Sequence, residues 1–141
     1  MWRGLIGVPL QCYDCPMDTL SLTPNWDLDV DAYGNWATIG DATPGDTSGP
    51  GMRLAQDVAT RCLSWRGEVY YDATQGIRYE QILGQAPNLA LIQSTFATEA
   101  LKVPGCAQAI PNFTFTGGRA RTLSGPLTVA DFAGNGGQVL F

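Results

Sequence analysis

Cysteines at positions 12, 15, 62 and 106 are the residues whose types could support metal or redox chemistry. Cys12 and Cys15 make one C-x-x-C pair, but a structural zinc site needs a second tight pair, and Cys62 and Cys106 stand far apart in sequence. A redox C-x-x-C opens a helix after a strand, whereas Pro16 and the neighbours Gln11, Tyr13 and Asp14 mark an exposed turn. The plain reading is an arm with two free thiols, or one disulfide formed after cell lysis, in a reducing compartment. Cys62 falls on the apolar stripe Leu54, Val58, Cys62, Trp65, whose helical spacing predicts a buried core thiol.

The carboxylates offer two further chemistries. Asp27-x-Asp29-x-Asp31 begins like a calcium loop, but that loop requires Gly at its sixth position and Glu at its twelfth, where this chain has Ala32 and Thr38. Alternation with Trp26, Leu28 and Val30 explains these aspartates as the wet face of a strand. Glu68, Asp72 and Glu80 could serve glycoside hydrolysis only if two of them faced each other across a sugar cleft. The nearby Tyr70, Tyr71 and Tyr79 would suit sugar stacking and equally suit packing between short elements, and Glu68 could pair with Arg66 or Arg78. Histidine is absent and Lys102 is the only lysine, which excludes His-based triads, general bases and metal ligands. No glycine motif suited to cradling phosphate opens a helix. The expectation is a protein that is not an enzyme and carries no cofactor and no metal.

The elements that must position these residues follow from composition and pattern. The chain has 141 residues, which predicts one domain with a real core. Charged residues are only 15%, against a typical ~25%, so much of the surface is not expected to face water alone. The net charge of -5 and the lack of a basic run argue against nucleic acid. No apolar run approaches the length of a membrane span, and the start Met1-Trp-Arg-Gly-Leu-Ile-Gly-Val-Pro-Leu10 is too short and broken for a secretory signal.

Residues 1–19 read as an extended arm and 20–141 as a single domain. Within it, 20–40 read as a hairpin turning at Tyr33-Gly34-Asn35, and 40–51 as a mobile loop. The segment 52–103 reads as a helical core. A first helix over Met52–Trp65 places Arg53, Gln56, Asp57 and Thr60 on its wet face and stops at Arg66-Gly67. Glu68–Asp72 reads as a short strand or extended turn. A short helix runs from Arg78 to Leu83, closed by Gly84, and a third starts at Asn88 as N-cap, buries Leu89, Ile92, Phe96 and Ala100, and ends at Pro104-Gly105. The predicted scaffold is Leu54, Val58, Leu63, Ile82, Leu89, Ile92 and Phe96. Residues 110–141 read as strands: 111–116, 121–131 with an interruption at Gly125-Pro126 that makes it an edge or bulged strand, and 138–141. The fold class is therefore α+β: a small three-helix core, an N-terminal hairpin and arm, and a C-terminal antiparallel β-meander with an open edge.

The order of several short motifs carries a resemblance. Arg66-Gly67-Glu68, Tyr71-Asp72, Gly76-Ile77 and Ile82-Leu83-Gly84 follow one another within 54–84, preceded by Asn25-Trp26-Asp27-Leu28, Asp31 and Gly34-Asn35 and followed by Thr122-Leu123-Ser124-Gly125. In this order the chain resembles the gene-25-like baseplate wedge, or sheath-initiator, family of contractile-tailed phages, over about residues 20–141 and most densely over 54–105. Two departures are visible: the family's Glu-Pro-Arg signature should follow the third helix, where this chain reads Lys102-Val103-Pro104-Gly105-Cys106, and the N-terminal arm with Cys12-x-x-Cys15 lies outside the family's pattern. The resemblance implies a structural subunit of the virion tail baseplate that donates strands to the first sheath ring. Its implied partners are the tail sheath protein, neighbouring wedge proteins and the central hub or tube, with six copies in a ring. Strand addition through main-chain hydrogen bonds then points to Leu123, Leu127 and Val129, to Gln138, Val139, Leu140 and Phe141, and to Trp2, Leu5 and Ile6 of the arm as partner-binding residues. The alternatives are a wedge subunit that does not touch sheath, and a tail-associated cell-wall hydrolase using Glu68 or Glu80.

Overall fold

The computed structural model describes residues 18–40, 49–83, 88–116 and 122–141. The arm with Trp2, Leu5, Ile6, Cys12 and Cys15, most of the 40–51 loop, Gly84 and Gly117-Gly118 lie outside the described residues. The fold is mixed α and β. Strands β1 (Asp18–Leu20) and β2 (Thr38–Gly40) precede helices α1 (Gly49–Leu63), α2 (Tyr79–Leu83) and α3 (Leu89–Ala100). Strands β3 (Cys106–Pro111), β4 (Thr114–Thr116), β5 (Thr122–Ser124), β6 (Pro126–Asp131) and β7 (Gly136–Leu140) complete the chain.

The N-terminal unit turns twice where the alternation predicts one continuous strand from Trp26. β1 pairs antiparallel with β2, and single bridges join Leu22 to Leu28 and Val30 to Trp36. The three passes meet in a closed ring of hydrogen bonds: Ser21 N–H donates to Ala37 O, Ala37 N–H to Asp29 O, and Asp29 N–H to Ser21 O, at 2.9, 3.0 and 3.0 Å. These residues are spaced evenly along the chain, and the turns between them, at Thr23–Asp27 and Asp31–Asn35, share one hydrogen-bond pattern. Leu28, Val30 and Trp36 stay exposed.

α1 begins earlier than the pattern predicts because Pro50 is tolerated in a first turn, where its missing N–H would have no partner. Leu54, Val58 and Cys62 of its stripe are fully buried. Leu63 is exposed, because one residue past Cys62 is about 100° around the helix and off the stripe. Trp65 lies beyond the last turn and is half-exposed. Arg53, predicted on the wet face, is buried, with Nη1 3.0 Å from Asp57 Oδ2. Burying a charge this way is tolerable only when it is paired. The 66–76 loop is a run of turns rather than a strand, closed where Ile77 N–H donates to Ser64 O and Arg66 N–H to Ile77 O. α3 starts as predicted, with Asn88 Oδ1 accepting from Leu91 N–H. Glu99, buried near its end, accepts from Arg61 Nε and Lys102 Nζ and so ties α3 to α1.

The C-terminal strands form a meander of three passes, the first two of them bent. β3 and β4 make one pass and β5 and β6 the return, pairing as β3 with β6 and β4 with β5, and β7 adds beside β6. The first pass starts at Cys106, earlier than predicted, directly after the Pro104-Gly105 turn. β6 is the central strand, not an edge. Pro126 is accommodated there because its missing donor faces Asn112, where the first pass breaks between β3 and β4. Asn112 N–H donates to Pro126 O instead. Gly125 is required at that break: its φ is 148°, and a Cβ there would lie 2.3 Å from Asn112 O. α1 packs on the sheet, and Leu127, Val129 and Val139 join Leu54, Val58, Ile77, Ile92 and Phe96 in one core, with Ile82 and Leu89 packed partly buried against it.

Candidate functional site

β7 lies at one edge of the three-stranded sheet. Gly125 and Phe141 exchange both backbone hydrogen bonds at 3.2 Å, and Asp131 N–H donates to Asn135 O. Because antiparallel ladders alternate, Gly137, Val139 and Phe141 bond to β6, while the N–H and C=O groups of Gln138 and Leu140 point outward. Among the described residues these outward groups have no backbone partner. Leu140 is 77% exposed.

The structure divides the residues predicted to meet a partner. Gln138 and Leu140 are exposed. Leu127, Val129 and Val139 are buried, so their side chains hold the sheet to α1 rather than facing outward. Leu123 is partly buried against the core. Phe141 belongs to an aromatic cluster, 5.4 Å from Phe96 and 5.9 Å from Phe113 between ring centroids. What β7 presents is its backbone and two side chains.

A groove of about 560 Å³ runs beside this edge. Met52, Ala55, Gln56 and Ala59 of α1 form its floor, β7 one wall, and Ser21–Pro24 with Trp26 the other. Gln56 fixes the far wall to the floor: its Nε2 donates to Leu20 O at 2.6 Å and its Oε1 accepts from Leu22 N–H at 3.0 Å. Among the described residues, no charged side chain lines the groove.

Trp26 holds a left-handed backbone, φ 64°, and is the only described non-glycine residue that does. The reason lies in its turn. In the turns closed by Asp31 and Asp131 the equivalent position is Gly34, φ 83°, and Gly134, φ 89°. In all three, the first residue accepts from the fourth residue's N–H, and its side-chain oxygen accepts from the fifth residue's N–H. A left-handed conformation costs an L-residue about 1–2 kcal/mol, so Trp26 is kept against backbone preference. Sequence reasoning placed Trp26 in a strand. The available signal was the repeated Asp-x-x-Gly-Asn at 31–35 and 131–135, of which Thr23-Pro-Asn-Trp-Asp27 is the variant lacking glycine.

The other candidates are occupied structurally. Glu68 Oε2 accepts from Trp65 N–H at 3.1 Å, and Asp72 Oδ1 accepts from Thr74 Oγ1 and N–H, which holds its carboxyl below the usual range. Glu68 and Glu80 are exposed and line neither that groove nor a smaller one of about 330 Å³ beside Arg53, Asp57 and Arg61. Asp31 is held low chiefly by the Asn35 backbone N–H and then by its side chain. Burial pushes the Cys62 thiol up to about 12, with the Glu99 carboxylate adding to it, and raises Cys106 as well. Both shifts disfavour the thiolate, the form that acts as a nucleophile. Among the described residues no three Cys, Asp or Glu side chains converge as metal ligands, and no helix is long and apolar enough to cross a membrane.

Compared with known proteins, the chain matches no protein-family model and no curated protein sequence.

Proposed function

We propose that the protein is a structural, non-enzymatic subunit of a contractile-tail baseplate that starts sheath assembly by offering β7 to a strand of the first sheath ring. The observation that carries this reading is the pair of outward-facing backbone positions, Gln138 and Leu140, on a strand whose other side is fully paired with β6. The order of motifs that resembles the sheath-initiator family supplies the assembly in which such an edge would be used. Each main-chain bond contributes only about 1 kcal/mol net, so a ring of six copies must act together to commit a sheath. The tail sheath protein is the partner at β7. Neighbouring wedge proteins and the hub or tube would meet other surfaces, and the exposed apolar side chains Leu28, Val30, Tyr33 and Trp36 suit such contacts. Nucleic acid and membrane have no part in this reading.

The test uses Gln138→Pro. Proline removes one outward N–H and leaves every bond to β6 in place, a position where strands tolerate it. The variant is expected to melt like the parent and to lose the ability to seed sheath polymerisation, scored by sedimentation and electron microscopy with purified sheath subunits. Undiminished seeding by the folded variant would overturn the assignment of β7. Failure of the parent to seed sheath or bind it would overturn the initiator role and leave the wedge-subunit reading.

A further inference from the structure

Trp26 stands where its two counterpart turns have glycine, and it lines the groove along which a strand added to β7 would lie. Three observations bear on what that strand must be. The groove is preformed, because both hydrogen bonds of the Gln56 amide hold the 20–22 segment at a fixed distance from α1. Among the described residues its lining carries no charge, on a chain whose net charge is -5. A buried charge arriving in such a groove would find no partner among these lining residues, and unpaired charges are strongly disfavoured out of water. The Trp26 indole, 47% exposed, offers a flat apolar wall to the groove that β7 also lines, and tryptophan is among the side chains enriched as binding anchors.

We propose that this groove selects the incoming strand: it accepts an extended, uncharged segment of the partner protein and seats one of its aliphatic side chains against Trp26. Alternate residues of an added strand point to one face, so main-chain bonds to Gln138 and Leu140 fix register while the groove reads the side chain between them. The proposal rests on strand addition at β7 and names what that strand must carry. The left-handed turn at Trp26 is kept because it aims the indole at this groove.

The test is selection of displayed random dodecapeptides on the full-length protein, followed by measurement of the recovered synthetic peptides against variants. Trp26→Gly and Trp26→Asn both tolerate the left-handed backbone and keep the fold. The expected result is an uncharged, aliphatic consensus whose affinity falls about tenfold or more in both Trp26 variants and is lost in Gln138→Pro. Loss with Gln138→Pro but indifference to Trp26 would leave strand addition standing and overturn the selectivity. A charged consensus, no enrichment, or binding indifferent to all three variants would overturn the groove as a strand site. Peptides matching the chain's own residues 4–10, or a concentration-dependent dimer abolished by Gln138→Pro, would make this chain its own occupant and overturn the partner proposal.

Discussion

Asp31 and Asp131 close turns of the same design in distant parts of the chain. Each carboxylate accepts from the N–H of the asparagine four residues on, at 2.8 and 2.7 Å, and from that asparagine's side-chain amide at 3.1 and 2.9 Å. For Asp131, partial burial alone would raise the carboxyl. The hydrogen bonds from Asn135, Ala133 and Gly134 outweigh it, so both aspartates sit below the ordinary 3.8. A depressed folded-state value favours the ionised form. The contribution is therefore fully present above about pH 4 and is lost as pH falls through the lowered value. Asp131→Ala is expected to cost about 1 kcal/mol at neutral pH, and a thermal-melt series should show the gap from the parent closing below pH 4. A gap independent of pH would refute the charge-assisted turn. Gly34-Asn35 was legible as a turn because glycine there answers a backbone need. Trp26 was not, since alternation with Asp27, Leu28 and Val30 imitates a strand and nothing local announces a tryptophan held against its own preference.

Among the elements, α1 and β7 meet backbone to backbone. A Cβ on Gly137 would stand 2.1 Å from Gly51 O and 2.8 Å from the Ala55 Cβ. No side-chain rotation relieves a clash with a carbonyl. Gly137→Ala is expected to cost at least about 1–3 kcal/mol, read as a lowered denaturant midpoint, whereas Gly136→Ala, whose added carbon meets only Val129 O at 3.5 Å, should cost clearly less. Equal losses would show that the helix does not rest on this contact. Helix existence was legible from spacing at Leu54, Val58 and Cys62 and from the Asn88 cap, because local periodicity and capping dictate them. Strand order was not. Pro126 reads locally as an edge residue, and only the break opposite Asn112 lets it sit centrally. Arg53 reads as solvent-facing, and its burial depends on pairing, with Asp57 one of the partners.

In the whole molecule the last strand serves the core and the edge at once. Tyr79, Phe96, Phe113 and Phe141 form a chain of edge-to-face rings, with Trp65 tilted on Tyr79 at 5.4 Å. Val139 is buried beneath α1. Deleting Gln138–Phe141 is therefore expected to destabilise the fold by several kcal/mol, since large aromatic truncations alone cost about 3–5, and circular dichroism should show a broadened or absent melt. A cooperative melt near that of the parent would show the strand to be dispensable. From sequence that terminal strand was legible as a strand and as an open edge. Its inward half was not, because burial depends on where α3 and the bent first pass come to rest.

The opposite edge is built differently. On β3 the outward row includes Pro111, which has no N–H to offer, and the register slips between Cys106 and Gln108. Proline and a bulge are the features that keep sheet edges from recruiting neighbours. β4 and β5 are only three residues each, and the N-terminal passes spend their central bonds on one another. Among the described residues, β7 is the edge whose outward backbone groups are left open to a further strand. Two copies joined through β7 would cap each other there, and on the proposed reading what grows from that edge is another protein, added with a single polarity.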